Sequence, residues 1–254
     1  MGAEQYSQHA ATPPTTAGPA AARPTSKIAT SWLFWPLLVS NLLLSLLCIA
    51  NLGLISSTIA WQFDQKHNVR SYTIHWPQTT FDLNVEPARL WVEQVHISLA
   101  AAAYGVLLGL FGTYVAWRIR RSTRPLKSTP TLLLLNLPAT ILTLSALVYV
   151  FVITYRTTKQ AIRVPVAANI QGSNYGEFTW TPETWLTAVL DLPLADLQIH
   201  DEIKSMVAAM VAWRWMLVPI FIVEIIACGV TMVAWWKLRK GVAAREDADT
   251  MVQK

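Results

Sequence analysis

One carboxylate, Glu224, lies inside an otherwise apolar run near the carboxyl end of the chain. A charged carboxylate in hydrocarbon is costly unless it is paired or protonated. The nearest base, Arg214, is about 15 Å away along a helix, which is too far for a direct ion pair. We expect a protonated Glu224 that is hydrogen-bonded to Asn41 or Asn51, the amides of another apolar run. Such a group could translocate protons or ions along a polar path, or it could only link helices.

A second candidate is Glu93 with His96, whose Glu-x-x-His spacing places two metal ligands on one helix face in di-metal carboxylate bundles. Further ligands would have to come from His67, His75 and His200, which could converge on the same face. The alternative is a glutamate that starts a helix beside an interfacial histidine. The Cys-x-x-Cys motif, the histidine-rich hydroxylase pattern and the phosphate-binding glycine loop are all missing. We therefore expect no metal or other cofactor, and favour a non-enzymatic protein.

Four long apolar stretches must position these residues. Each is long enough to cross a membrane as a helix, since about 20 residues at about 1.5 Å per residue span the hydrocarbon core. Between Lys27 and Asp64, between His96 and Arg118, between Lys127 and Arg156, and between Arg214 and Lys237, Glu224 is the only Asp, Glu, Lys or Arg. The predicted fold class is all-α membrane, a bundle of four transmembrane helices with two structured outer loops. The predicted spans are 32–61, 95–117, 131–154 and 205–236, with outer loops at 62–94 and 156–204.

Basic residues are distributed unevenly between the segments that connect the spans. The short central loop holds Arg118, Arg120, Arg121, Arg124 and Lys127 and no acid. The amino tail adds Arg23 and Lys27, and the outer loops hold most of the acids. The carboxyl tail adds Lys237, Arg239, Lys240, Arg245 and Lys254. The positive-inside rule therefore predicts cytoplasmic termini, and we expect an integral protein of the plasma membrane rather than of endomembranes. The net charge of +5 then reflects topology and attraction to anionic lipid, and nucleic acid is not an expected partner.

Three regions follow from this topology. Residues 1–30, rich in Pro, Ala and Thr, are expected to form a disordered cytoplasmic tail. Residues 31–237 form the four-helix transmembrane domain. Residues 238–254 form a second cytoplasmic tail, first basic and then acidic.

The outer loops carry signals of local structure. In the first loop, residues 71–76 alternate polar and apolar side chains and stop at Pro77, which predicts a short strand. In the second, residues 162–170 are expected to be extended, and Thr181-Pro182-Glu183 begins a helix that runs to about residue 190. Trp180 and Trp185 give this helix an apolar face that needs a cover, and we expect them to contact a partner.

Small residues mark the second span. Ala101, Gly105 and Gly109 recur every four residues, and Gly112 follows. Small side chains on one stripe allow another helix backbone to approach closely. The stripe therefore predicts a helix-packing seam, either inside the bundle or between protomers.

The arrangement of four spans, two inside tails and two structured outer loops resembles the tetraspan proteins of the claudin, MARVEL and fungal plasma-membrane-domain type. The likeness is architectural, because the cysteine signatures of claudins and tetraspanins are missing. The run from Phe178 to Trp185, followed by Trp213-Arg214-Trp215, resembles uncharacterised four-span proteins of filamentous fungi. This resemblance implies no activity.

The leading hypothesis is a non-enzymatic tetraspan scaffold or partner-escort protein, whose partner is a membrane protein or a second copy of the chain. The alternative is a small oligomeric channel or proton-coupled transporter built around Glu224, Asn41 and Asn51. A third hypothesis is a membrane enzyme that acts at the outer face through Glu93 and His96.

Overall fold

The computed structural model describes residues 26–77, 79–121, 128–170 and 172–252, with side chains described from Leu33 to Lys240. Four long helices dominate the chain. They are α1 (Ser26–Asp64), α2 (Glu93–Arg121), α3 (Ser128–Thr157) and α6 (Leu197–Val252). All four contain stretches long and apolar enough to cross a membrane, which confirms the prediction of four long apolar helices.

Every long helix extends beyond its predicted span. α1 begins at Ser26, so residues 26–30 of the predicted disordered tail are helical, while residues 1–25 lie outside the described range. Arg118, Arg120 and Arg121 belong to the last turn of α2 rather than to a loop. α6 begins at Leu197 rather than 205 and includes residues 238–252, so the predicted second tail continues this helix up to Val252. Helix formation does not stop at the edge of the hydrocarbon, because Ala, Arg and Lys also favour helix in water.

The first connecting segment forms a β-hairpin of β1 (Ser71–Trp76) and β2 (Thr79–Asn84). The strands are antiparallel, with Ser71 opposite Asn84. The predicted strand is therefore confirmed, and its partner strand was missed. The other edge of β1 is also covered, since the His75 amide donates to the Pro193 carbonyl at 2.9 Å.

Two short helices, α4 (Val164–Asn169) and α5 (Pro182–Leu190), lie in the second connecting segment. α5 has the predicted bounds, and the side chains of Thr181 and Thr184 form a reciprocal capping box at its start. The prediction that residues 162–170 are extended is wrong. A proline in the first turn of α4 has its φ already set for a helix, and no N–H is lost there.

The hairpin, α4, α5 and their connections, residues 65–92 and 158–196, form a unit that we call the head. Its core is rich in large aromatic and aliphatic side chains and continues into the adjoining ends of the long helices. A second cluster lies deeper among the long helices and contains mainly Leu, Val, Ala and Cys48. The head thus sits at the end of the bundle where α1 and α3 finish and where α2 and α6 begin.

The small-residue stripe of α2 packs against α1. A methyl group placed on Gly109 would lie 2.7 Å from the Asn41 carbonyl oxygen and 2.8 Å from the Ser45 backbone nitrogen. A methyl group on Gly105 would overlap the Cys48 thiol. Ala101 is buried on the same helix. The seam therefore lies inside the bundle, between antiparallel α1 and α2.

Candidate functional site

Glu224 is fully buried within the bundle, on α6. The Thr143 hydroxyl of α3 donates a hydrogen bond to its Oε1 atom at 3.0 Å. The Oε2 atom has no hydrogen-bond partner among the described residues. The prediction that Asn41 or Asn51 pairs with Glu224 is wrong, because the carboxylate turns towards α3. No sequence signal distinguishes Thr143 from the other hydroxyl residues of that helix.

The surroundings of Glu224 involve all four long helices. A methyl group on Gly105 of α2 would lie 3.9 Å from Oε1 of Glu224 and would overlap Cys48 of α1. The absence of a side chain at Gly105 therefore leaves the space that the carboxylate and the thiol share. Thr143 adds the contact from α3. The arrangement can hold a proton on a carboxyl group that is shielded from water and lipid.

Asn41 and Asn51 are also fully buried, but they do not join Glu224. The Asn41 amide nitrogen donates to the Leu37 carbonyl at 2.8 Å, and its Oδ1 atom has no partner. Asn41 lies against Gly112, where a methyl group would overlap its amide. Neither side-chain atom of Asn51 has a described partner. Leaving a buried polar group without a hydrogen bond costs about 1 to 3 kcal/mol of folding free energy. The unpaired amide atoms of Asn41 and Asn51 therefore destabilise the bundle.

Trp180 and Trp185 are core residues, with exposed fractions of 0% and 2%. Their rings meet edge to face at a centroid distance of 5.3 Å. The Trp185 indole N–H donates to the Val85 carbonyl at 2.7 Å, and that of Trp180 donates to the Glu177 carbonyl at 2.9 Å. The prediction that these tryptophans contact a partner is therefore wrong. The first connecting segment covers the apolar face of α5 and leaves neither ring on the surface.

An ion pair between Glu183 and Arg214 was missed by the sequence analysis. One Arg214 nitrogen, Nη1, donates to both Glu183 carboxylate oxygens, at 2.7 and 2.9 Å. The side chains are only 13% and 14% exposed. The Arg214 guanidinium also lies over the Phe151 ring, 5.6 Å from its centroid. The pair thus joins α5 of the head to α6 and α3 of the bundle.

Burial raises the pKa of Glu183 above its ordinary value, and the charge and hydrogen bond of Arg214 oppose that rise. The carboxylate thus depends on its partner to remain ionised in this environment. The available signal was an Arg between two tryptophans, in a run from Ser205 to Trp236 whose only other Asp, Glu, Lys or Arg is Glu224, and an acid in the first turn of α5. The sequence does not show that these two positions meet.

The candidate metal ligands do not converge. His67 lies in the π-helical turn that follows α1, His75 is on the hairpin, and His200 is in the first turns of α6. Glu93 and His96 occupy the start of α2. Within the ranges given above, no three His, Cys, Asp or Glu side chains are close enough to hold a metal ion. The fold spreads these side chains over separate elements, so the convergence that the sequence left open is not seen among the described residues.

Two small cavities lie where the head meets the bundle. One, of about 20 Å³, is lined in part by Trp61, Pro182 and Trp185. The other, of about 10 Å³, is lined in part by Gln94 and Glu183. A cavity needs roughly 10 to 15 Å³ to hold one water molecule, so neither can take a larger ligand.

Comparison of the chain with protein-family models, with curated proteins and with solved structures gives no significant match.

Proposed function

We propose that the chain is a non-enzymatic, four-span membrane protein that holds a rigid head in position for a partner protein, as a scaffold or escort. The observation that carries this proposal is the Glu183–Arg214 ion pair, which fixes the head to the bundle. A buried pair of this kind ties two elements at a defined position, since leaving either charge alone would be costly. A head held in this way presents the same surface to every partner.

Trp180 and Trp185 are buried, but two other aromatic side chains are exposed on the surface of the head. Trp76 ends β1 beside the hairpin turn, and Phe178 lies in the segment before α5, each with an exposed fraction of 41%. Phe178 has a φ of 63°, a left-handed conformation that is unusual for a bulky residue. Arg163 lies over its ring, 5.6 Å from the centroid. We propose Trp76 and Phe178 as the partner contacts, because exposed aromatics often anchor interfaces.

The proposed orientation places the head outside and both termini in the cytoplasm of a cell, at the plasma membrane. The charge distribution supports it. Among the side chains described, every Asp and Glu except Glu224 lies in the head or at the helix ends that adjoin it. The opposite ends of α2 and α6 carry Arg and Lys. Cationic residues at the ends of spans favour the cytoplasmic side.

Site-specific photocrosslinking in the native membrane tests the scaffold proposal. A photoreactive residue at position 76 or 178 should give a discrete adduct with the same protein. A matched probe at Leu134, a lipid-facing position of α3 that is 69% exposed, should not give this adduct. The adduct formed from position 76 should weaken in the Phe178→Ala background. Well-folded protein that yields no discrete protein adduct from either head position would contradict the proposal.

A second candidate function is proton-coupled transport through Glu224. It is supported by a fully buried carboxylate with one unpaired oxygen and by the unpaired amide of Asn51. Four helices alone rarely enclose a pathway, so this function requires an oligomer. The reconstituted protein should then show a pH-dependent flux that Glu224→Gln abolishes. No flux from either folded protein would leave Glu224 as a hydrogen-bonding group between α3 and α6.

A further inference from the structure

The ends of α2 and α6 that point away from the head carry a repeated arrangement of cations and aromatic rings. On each helix, two cations lie over rings that precede them by four residues. A fifth cation reaches a ring of α1. The pairs, with distances to the ring centroid, are Arg118 over Tyr114 (5.9 Å), Arg121 over Trp117 (4.5 Å), Arg239 over Trp235 (5.6 Å), Lys240 over Trp236 (4.0 Å) and Arg120 over Phe34 (5.1 Å).

This set of cations and rings, which we call the basic end, follows from helix geometry. Residues four apart lie on the same face of a helix, so each ring supports the cation of the next turn. The side chains of Arg118, Arg120, Arg121, Arg239 and Lys240 are all exposed. Each cation is thus held in place by a ring while its charge remains open to the surroundings.

The basic end has no acid to neutralise it among the side chains from Leu33 to Lys240. The acids described there belong to the head or to the helix ends that adjoin it, apart from Glu224, which is buried. The five exposed cations of the basic end lie at one end of the bundle and carry charge of one sign. An anionic surface is the complementary partner.

The rings identify that surface as lipid. Trp117 and Trp236 are 48% and 56% exposed although they lie near the ends of apolar spans. Tryptophan at such positions occupies the boundary between hydrocarbon and headgroups. Their cations, one turn further along the helix, are then at the depth of the lipid phosphates. A soluble polyanion would meet the charges but would leave the rings without an apolar neighbour.

We propose that the basic end binds anionic phospholipids in preference to zwitterionic ones, and that the rings orient the cations towards lipid phosphate. Each cation near an anionic membrane surface is worth about fivefold in affinity. The cations alone would produce some preference. The rings add to it because a cation that is already held in place loses less side-chain entropy on binding.

Native mass spectrometry of the full chain in a neutral detergent, titrated with phosphatidylglycerol or phosphatidylcholine, tests this inference. The wild-type chain should bind phosphatidylglycerol more tightly. In the double variant Arg121→Gln/Lys240→Gln that affinity should fall by roughly 25-fold, from about fivefold for each cation removed. The matched control, Arg89→Gln/Lys204→Gln, removes two exposed cations at the head end and should change it little. Equal affinities for the two lipids, or an equal loss in the control, would overturn the proposal.

A third variant, Trp117→Leu/Trp236→Leu, keeps apolar side chains and every charge but removes two rings. We expect a severalfold loss of affinity for phosphatidylglycerol, with unchanged affinity for phosphatidylcholine. A monodisperse preparation with the wild-type unfolding temperature would show that the variant is folded. Unchanged phosphatidylglycerol binding by this folded variant would overturn the role of the rings.

Discussion

The cores of the head and of the bundle differ in how many of their buried polar atoms are hydrogen-bonded. In the head, the indole nitrogens of Trp180 and Trp185 donate to carbonyls, and the Tyr175 hydroxyl donates to Glu177 at 2.9 Å. In the bundle, Glu224 and Asn51 keep buried atoms without a described partner. Nearly all such unpaired atoms belong to the four long helices, and Gln160 is the exception among the residues described.

The difference reflects what holds each region together. The head excludes water from large aromatic side chains, and the hydrophobic effect stabilises it at about 25 cal/mol per Å² of buried apolar surface. Helices in lipid gain little from that effect, so the bundle depends on close packing between backbones. The seam at Gly105 and Gly109 provides that packing. A substitution that adds volume at the seam should therefore destabilise the bundle most, whereas a substitution that removes a specific contact should destabilise the head most.

The largest expected effect is in the seam. Gly109→Leu should prevent folding, because a side chain there meets the backbone of α1, which cannot move aside. Gly53→Leu is the matched control on α1, where a methyl group would meet nothing within 4 Å. The fraction of monodisperse protein after extraction measures both. Normal folding of Gly109→Leu would mean that the seam is not as close as described.

In the head, Trp185→Ala should lower the free energy of unfolding by about 3 to 5 kcal/mol, because it leaves a large cavity and an unpaired Val85 carbonyl. Trp76→Ala should change that free energy by no more than about 0.5 kcal/mol, since this ring is exposed. Proteolysis rates of the head under native conditions measure the difference. Similar rates for the two variants would contradict the assignment of Trp185 to the core.

At the junction of the two regions, Arg214→Met should cost about 3 kcal/mol because it leaves the Glu183 carboxylate buried and unpaired. Glu183→Gln should cost less, about 2 kcal/mol, since the amide oxygen can still accept from Arg214 although the guanidinium loses its counter-charge. Thermal unfolding of the two single variants and of the double variant gives the coupling free energy between the two side chains. Additive effects would show that the pair does not fasten the head to the bundle.

The smallest effect is a pH dependence. Burial raises the pKa of Glu183, whereas the charge and the hydrogen bond of Arg214 lower it. Because Arg214→Met removes both of these contributions, the pKa of Glu183 should be higher in this variant. A raised folded-state pKa gives stability that is complete below the ordinary value of 4.5 and is lost as the pH rises through the folded value. The cost of Arg214→Met should therefore shrink as the pH falls below neutral. In Arg214→Met/Glu183→Gln this dependence should disappear, and its persistence would assign it to another group.

The sequence predicted the elements but not the contacts between distant residues. Apolar length predicted the four long helices, and the Thr-Pro-Glu signal located α5. The small residues predicted a close seam without naming its partner, α1. The pairing of Glu224 with Thr143, 81 residues earlier, and that of Glu183 with Arg214 depend on how helices rotate against each other. Spacing along one chain carries no information about that rotation.

The most direct test of the account is the side of the membrane on which the head lies relative to the basic end. Single cysteines replacing the exposed Ser173 and Lys240 can be labelled with a membrane-impermeant maleimide on intact cells. The parent chain, whose Cys48 and Cys228 lie within spans, gives the background. We predict labelling at position 173 in intact cells and at position 240 only after permeabilisation. Labelling at both positions in intact cells, or at position 240 alone, would contradict it.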